Sequence, residues 1–172
     1  MIGRPIGRYI FCILLGCLVG CAGYTLGPTP PTYMKGVRQV AVPVFKNSTI
    51  APDVETLATT TVIKQIQEDG TYEITSADRA DVIVLGTIVS VERTKARSLQ
   101  GNVLASSEFN LRVTIEFRVE RRNTAQLLAD RSFEGSTSFF VGNDTASQER
   151  EAIPLAVQDA ATQFVSFLSE GW

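Results

Sequence analysis

Basic side chains are the residues of this chain that are best suited to bind a ligand. Arg93, Lys95 and Arg97 follow one apolar stretch, and Arg112 and Arg118 lie on the polar side of an alternating segment. Arginine holds phosphate groups through paired hydrogen bonds, so these five residues are candidates for binding a phosphorylated ligand. The alternative is an ordinary solvated surface, because glutamates are interleaved with the arginines.

The chain offers little for acid–base or nucleophilic catalysis. It has no histidine, the commonest general base and metal ligand of enzymes. It contains no nucleophile elbow, phosphate-binding glycine loop or dinucleotide-binding fingerprint. Asp78 with Asp81 and Glu149 with Glu151 form carboxylate pairs in sequence, but turn, cap and solvated helix positions account for them better. We therefore expect a protein that is not an enzyme and that needs no metal or other cofactor.

The N-terminal segment resembles the signal peptide of a bacterial lipoprotein. Two arginines precede the apolar run Tyr9–Val19, which is shorter than the ~20 residues that span a bilayer. Leu18-Val19-Gly20-Cys21 is similar to a lipobox. This resemblance implies that residues 1–20 are removed and that a diacylglycerol is attached to the sulfur of Cys21, which gives stable anchoring. An uncleaved membrane anchor and cleavage before Cys17 are the alternatives.

Removal of the signal peptide sets the composition of the mature protein. Of the three cysteines only Cys21 would remain, and because its sulfur carries the lipid, neither a disulfide nor a free thiol is available. Two arginines leave with the signal, so 14 of the 16 basic residues face 18 acidic ones, a net charge of −4. Nucleic-acid binding requires a basic surface, so we expect no nucleic-acid partner. The remaining 152 residues are enough for one domain with its own core.

Proline and glycine are concentrated directly after Cys21. Ala22–Gly36 contains three of each, a composition typical of a stiff segment without regular structure. We interpret residues 21–36 as the lipidated cysteine with a tether, and residues 37–172 as one domain. Fully extended, the tether would reach roughly 50 Å at ~3.3 Å per residue, which would hold the domain away from the lipid headgroups.

Two segments have the periodicity of amphipathic helices. The first follows Pro52, which suits the first position of a helix, and Gly70 is a natural stop. Its apolar stripe consists of Val54, Leu57, Ala58, Thr61, Val62 and Ile66. The second has its apolar stripe between Ile153 and Leu168. We expect it to start near Pro154, rather than to run through this proline with a kink.

Several segments have the patterns of β-strands. Val37–Phe45 predicts a first strand with Pro43 near its end or on an edge, and a short strand follows at Thr71–Thr75. Asp81–Val91 is apolar on both faces, as in a strand that is covered on both sides. Glu108–Arg121 alternates strictly, which predicts a half-buried antiparallel strand. A hairpin joins it to a partner strand at Leu127–Val141.

The order of these elements predicts an α+β fold. Two helices would pack on one face of a mixed, mostly antiparallel sheet of four to five strands, giving a two-layer sandwich. Two helices cover only one face of a sheet. The apolar outer face of the Asp81–Val91 strand would then be covered by a partner or by the chain's own loop, Thr94–Ser107.

Several motifs together resemble the LptE family of lipopolysaccharide-assembly lipoproteins. Cys21-Ala22-Gly23-Tyr24 is similar to the family's Cys-Gly-Tyr opening, and Val40–Thr49 to its strand followed by a Phe-x-Asn-x-Thr turn. Ala80–Ile88, the alternating strand, its hairpin and the last helix extend the resemblance across residues 21–172. The chain departs from the family pattern at Ala22, in the hairpin, which lacks a glycine, and at Pro154.

The resemblance implies an outer-membrane lipoprotein on the periplasmic side. It would plug and help to assemble the β-barrel protein LptD, and it would help to pass lipopolysaccharide to the outer leaflet. Its partners would be an LptD-like barrel, lipopolysaccharide and the membrane that holds the lipid anchor. The five basic candidates would contact lipopolysaccharide, although no family motif assigns them individually. Two other lipoprotein classes have a similar strand–helix opening: activators of peptidoglycan synthases, and curli-secretion pore proteins, which are longer.

Overall fold

A computed structural model describes residues 30–97, 107–141 and 145–171 of the chain. The predicted signal peptide, Cys21 and the first part of the tether lie outside these ranges. A short 3₁₀ helix at Thr32–Met34 precedes six strands and two helices. In chain order these are β1 (Gln39–Ala41), β2 (Lys46–Asn47), α1 (Val54–Asp69), β3 (Glu73–Ile74), β4 (Val82–Arg97), β5 (Ser107–Arg121), β6 (Leu127–Val141) and α2 (Thr145–Glu170).

The six strands form one mixed sheet with the order β3-β1-β4-β5-β6. β1 runs parallel to β3 and β4, and β2 pairs with β4 farther along, so β1 and β2 share one position in the sheet. Pro43, which has no N–H to donate, lies in the break between them. The long strands β4, β5 and β6 are antiparallel. The predicted α+β architecture with both helices on one face is confirmed.

The alternation of β5 decides which face of the sheet is buried. Phe109 is partly buried, and the five apolar residues that follow it on the same side are at most 1% exposed: Leu111, Val113, Ile115, Phe117 and Val119. On this side Phe117 stacks against Phe164 of α2, with ring centroids 3.8 Å apart. Full burial of one such side chain stabilises the fold by about 1.5–3 kcal/mol, so this row is the centre of the core.

A glycine in β4 admits an aromatic ring into this core. A Cβ atom added at Gly86 would lie 2.6 Å from the ring of Phe45. The ring packs edge-on against Phe117 at 5.6 Å, and the Phe45 N–H donates a hydrogen bond to Thr59 Oγ1 of α1 at 2.9 Å. Phe45 therefore joins the sheet to α1 directly after the break that Pro43 introduces.

Side-chain hydrogen bonds hold the turn that follows Phe45. Asn47 Nδ2 donates to the Ala51 carbonyl at 2.7 Å and to Glu55 Oε2 at 2.9 Å. The Thr49 N–H donates to Asn47 Oδ1 at 2.9 Å. One asparagine thus fixes the path of the chain from the sheet into α1.

The start of α1 differs from the prediction. The helix begins at Val54, after Asp53 in the left-handed region with φ 60°, so Pro52 belongs to the turn and is not the first helical residue. The turn's hydrogen bonds to Ala51 and Glu55 impose this path. Gly70 ends α1 in the left-handed conformation, as predicted.

α2 is a continuous helix that runs through Pro154. The expectation that it starts near Pro154 is wrong, because Ala152 is buried and Ile153 packs on the core, which offsets the missing proline N–H. Farther along, α2 approaches β6 closely. A Cβ atom at Gly135 would overlap the Ala156 carbonyl oxygen. Within the described ranges, neither helix is long and apolar enough to cross a lipid bilayer.

The described end of the tether packs on the domain, which differs from the unpaired segment we expected. Met34 is fully buried, and Tyr33 stacks on Phe167 with centroids 5.4 Å apart. The Tyr33 hydroxyl donates to the Phe167 carbonyl, and the Tyr72 hydroxyl donates to the Leu168 carbonyl, both at 2.7 Å. Burial raises the pKa of Tyr33 to about 12 and raises the pKa of Tyr72, so both hydroxyls remain donors at neutral pH. The chain therefore enters the domain at the C-terminal end of α2.

Candidate functional site

An irregularity in β4 divides the predicted basic residues between the two faces of the sheet. The pairing with β5 shifts by one residue between Ile88 and Ser90. Beyond this shift, Arg93 and Lys95 pair with Leu111 and Phe109 and lie on the helix side. The polar residues of β5 point to the opposite side, which we call the outer face. Arg112 and Arg118 belong to this outer face, so the five candidates do not form one patch.

Arg93 is tied to α2. Its Nη1 lies 2.6 Å from Glu149 Oε2, and its guanidinium carbon is 5.4 Å from the centre of the Phe109 ring. Glu149 is 56 positions away from Arg93 in sequence. The local sequence pattern indicates that Glu149 is a residue on an ordinary solvated helix surface. We know of no sequence signal that would have found this pair, because it depends on how α2 lies across β4.

Lys95 and Arg97 lie at the far end of β4. Lys95 is exposed, and no carboxylate of the described residues lies within 4 Å of its amine. Arg97 is the last residue of the strand and pairs with Glu108 after a second shift in register. These two residues and Arg93 are therefore grouped at one end of the sheet.

Arg112 and Arg118 are paired with acidic residues across the outer face. Arg112 Nε lies 3.6 Å from Glu134 Oε1. Arg118 lies 3.4 Å from Glu120 and 3.5 Å from Asp130. Glu120 is 25% exposed and the other four side chains are about half exposed, and exposed ion pairs of this kind contribute little stability. Both arginines are therefore available to other anions at small cost.

The outer face is mostly polar in β5 and β6, and the predicted apolar surface is confined to β4. Its apolar residues in β4 include Ile83 and Leu85, of which Leu85 is 38% exposed. β5 and β6 present alternating charged and small polar residues on this side, except for Leu127 and Phe140 near the ends of β6. β4 extends to Arg97, and β5 begins at Ser107. The loop that was expected to cover this face is therefore shorter than predicted, and its residues 98–106 lie outside the described ranges. No described element covers the outer face.

A cleft of about 640 Å³ opens on the helix side, near Arg93. Its walls are the loop Thr49–Asp53, Val91 of β4, and Glu149, Arg150 and Ile153 of α2. Ile50, at the tip of the loop, is fully exposed. Single exposed apolar residues are common on protein surfaces, so Ile50 by itself is not a sequence signal for this cleft.

The carboxylate pair Asp78 and Asp81 has a structural role. Asp81 Oδ2 accepts the N–H groups of Gln39 and Arg38, each at 2.9 Å, and these hydrogen bonds lower the pKa of Asp81. A hydrogen bond from Ser76 lowers the pKa of Asp78. In the part of the chain that the structure describes, no cluster of acidic, histidine or cysteine side chains could hold a metal ion.

Comparison with known proteins agrees with this architecture. The family model LptE, described as lipopolysaccharide-assembly, matches residues 37–168. The hypothetical protein CT253 from Chlamydia trachomatis is similar in structure with a TM-score of 0.57 and 9% identity, over 77% of this chain and 96% of that one. Protein XCC0632 from Xanthomonas campestris gives 0.50 and 12%, over 82% and 92%. At these identities the likeness concerns the fold alone. No curated protein matches the chain.

Proposed function

This chain belongs to the LptE lipopolysaccharide-assembly family, and on that premise we propose that it is a noncatalytic outer-membrane lipoprotein that plugs an LptD-like β-barrel. In this role it helps to assemble the barrel and to pass lipopolysaccharide to the outer leaflet. The lipid on Cys21 holds it to the periplasmic side of the outer membrane.

The bare, polar outer face of the sheet is the observation that carries this proposal. Three long strands, β4, β5 and β6, present charged and small polar side chains there, with no described element above them. The lumen of a large outer-membrane barrel is polar, so a plug needs a surface of this kind rather than an apolar one. Ion pairs such as Arg112 with Glu134 can exchange for partners on a barrel wall.

The tether and the basic residues of β4 lie at opposite ends of the domain, which would let the basic end act at a distance from the membrane anchor. The tether joins at the C-terminal end of α2, whereas Arg93, Lys95 and Arg97 lie toward the opposite end of the sheet. β4 has 16 residues and spans roughly 50 Å at about 3.3 Å each. The basic end would thus act far from the point where the lipid holds the chain.

The experiment is co-purification of the lipidated chain from membranes in mild detergent. We expect a large β-barrel protein to be recovered with it. Replacing Arg112 and Arg118 together by Glu should lower that recovery, because both side chains lie on the outer face. The matched control is Lys64→Glu, an exposed residue of α1 with a comparable ion pair to Glu68.

Two outcomes would count against the proposal. Recovery of a peptidoglycan synthase without any barrel would assign the chain to the activator class. Equal recovery of the barrel with the double variant and with the Lys64 control would remove the outer face as the contact surface.

The five basic candidates remain our proposal for contact with lipopolysaccharide. Replacing Arg93, Lys95 and Arg97 together by Gln should weaken binding of purified lipopolysaccharide, most clearly at low salt, because screening reduces the interaction of exposed charges. Binding by filter retention at two salt concentrations measures this. Unchanged binding would assign these residues to an ordinary solvated surface.

A further inference from the structure

The first nine residues of α2, Thr145–Ile153, are attached differently from the rest of the helix, and we call them the α2 arm. Pro154 follows the arm and cannot donate a helical hydrogen bond to the Arg150 carbonyl. Beyond Pro154, seven apolar side chains of α2 are at most 2% exposed. Among the described residues of the arm, Ala152 is buried and Ile153 is partly buried. The arm therefore has fewer buried apolar side chains to hold it than the rest of α2, and it is joined to the rest at a point where one helical hydrogen bond is missing.

An ion pair joins the arm to the sheet, in addition to the packing of Ala152 and Ile153. Arg93 Nη1 and Glu149 Oε2 are 2.6 Å apart, and the guanidinium lies over the Phe109 ring. The two side chains are still 41% and 32% exposed. Because an ion pair with this exposure contributes little free energy, another anion can replace the carboxylate. Phosphate is a suitable competitor, since one guanidinium can donate two parallel hydrogen bonds to it.

The cleft beside this ion pair suits an apolar chain. Its volume of about 640 Å³ lies within the range of roughly 300–1,000 Å³ that is usual for small-molecule sites. Val91 and Ile153 contribute apolar walls, and Ile50 stands fully exposed at the rim. The arm itself forms one side of the cleft, so movement of the arm would widen it.

The charges around the cleft favour an anion only when Glu149 is displaced. Asp53, Glu149 and Arg150 line the cleft, and Arg93 lies beside it in its ion pair with Glu149. With Glu149 in place, the two positive charges are balanced by two negative ones. Without it, one positive charge remains in excess, which would attract an anionic headgroup.

We propose that Glu149 is an internal competitor of an anionic amphiphile, which binds with its phosphate on Arg93 and its alkyl chain in the cleft. Binding displaces Glu149, releases the α2 arm to turn about Pro154 and widens the cleft. Lipid A is a ligand of this chemistry, so the identity of the natural ligand rests on the proposed function. The competition between Glu149 and the anion does not depend on the proposed function.

The test compares Glu149→Gln with Glu151→Gln, an exposed residue of the same arm. The full chain in a nonionic detergent is titrated with dodecyl phosphate, and separately with inorganic phosphate as the headgroup alone. Glu149→Gln should bind dodecyl phosphate about two- to fivefold more tightly than the wild type, because an exposed ion pair is worth about this factor. Glu151→Gln should bind like the wild type.

Hydrogen exchange of residues 145–153 reports the position of the arm. Dodecyl phosphate should speed exchange in the wild type, whereas Glu149→Gln should exchange fast without ligand. Arg93→Gln should also exchange fast, but it should bind dodecyl phosphate more weakly than the wild type. This combination separates competition from a purely structural ion pair.

Three results would overturn the inference. Fast exchange in both variants with unchanged affinity would leave the ion pair a structural role only. Equal gains in affinity for the Glu149 and Glu151 variants would point to general loss of negative charge. Inorganic phosphate binding as tightly as dodecyl phosphate would exclude a site for the alkyl chain. None of these results bears on recovery of the barrel, so the proposed function is tested separately.

Discussion

At the scale of single residues, Gly86 is constrained by the side chain that packs on it. The ring atoms of Phe45 would lie 2.6–2.7 Å from an added Cβ atom. Gly86→Ala should therefore lower the free energy of unfolding by about 1–3 kcal/mol, as is usual for overpacking in a core. Urea denaturation followed by circular dichroism measures this change.

The double variant Gly86→Ala with Phe45→Leu is the control. Leucine is smaller and can move away from the new methyl group, so Gly86→Ala should cost less in the Phe45→Leu background. Costs that simply add would show that the ring does not cause the destabilisation.

Asp81 links the start of β1 to the start of β4 through two backbone N–H groups. These hydrogen bonds lower the pKa of Asp81, so its stabilising effect is present above the ordinary aspartate pKa and is lost as the pH falls through the lower folded value. Asp81→Asn should lower the free energy of unfolding by about 1–2 kcal/mol at pH 7. The gap to the wild type should shrink below about pH 4.

Denaturation curves at several pH values measure this dependence. Glu73→Gln, an exposed residue on the neighbouring β3, is the comparison and should follow the wild type. A gap between Asp81→Asn and the wild type that stays constant down to pH 3 would contradict the role of the carboxylate.

At the scale of elements, β6 is an edge strand whose exposed backbone groups are partly satisfied by α2. The Ser136 N–H donates to Asp159 Oδ2 at 2.9 Å, and Gln163 Nε2 donates to the Glu134 carbonyl at 3.0 Å. The close approach of α2 at Gly135 makes both contacts possible. Coverage of this kind limits pairing of the edge with other chains.

Pro154 removes one backbone hydrogen bond from α2, at the junction between the α2 arm and the rest of the helix. Pro154→Ala should restore a helical hydrogen bond to the Arg150 carbonyl and slow the hydrogen exchange of residues 145–153 by stabilising the arm by about 1–3 kcal/mol. Exchange of residues after 156, where α2 is well buried, should change little. Unchanged exchange in the arm would show that Pro154 is not its hinge.

At the scale of the whole molecule, the end of the domain that the tether joins and the end that carries the candidate basic residues are far apart. The described tether end is fixed by Tyr33 at the C-terminal end of α2, and the basic residues Arg93 and Lys95 lie toward the other end of the sheet. A lipid on Cys21 would place the first end near the membrane and leave the second free to reach a partner.

The predicted lipid anchor has a direct test at this scale. Cys21→Ser should leave an unprocessed precursor that incorporates no labelled fatty acid, because the sulfur that accepts the lipid is gone. Cys17→Ser is the control and should be processed and labelled like the wild type. Label in the Cys21 variant but not in the Cys17 variant would move the anchor to the alternative site.

The sequence by itself determined the elements with strong local patterns. The strict alternation of β5, the limits of β6 and the stop of α1 at Gly70 follow from side-chain periodicity and from glycine's freedom at positive φ. These features depend on neighbours within a few positions, so pattern alone is enough to find them. The family resemblance has the same origin, in short motifs with fixed order and spacing.

Only the tertiary structure decided where the candidate basic side chains point. The register shift after Ile88 moved Arg93 and Lys95 to the helix side, away from Arg112 and Arg118. α2 extended back past Pro154 because burial of Ala152 and Ile153 offset the missing hydrogen bond, and this brought Glu149 to Arg93. A bulge and a helix start are each settled by small free-energy differences among packed neighbours. Those neighbours are distant in sequence, so the local sequence pattern cannot predict their contacts.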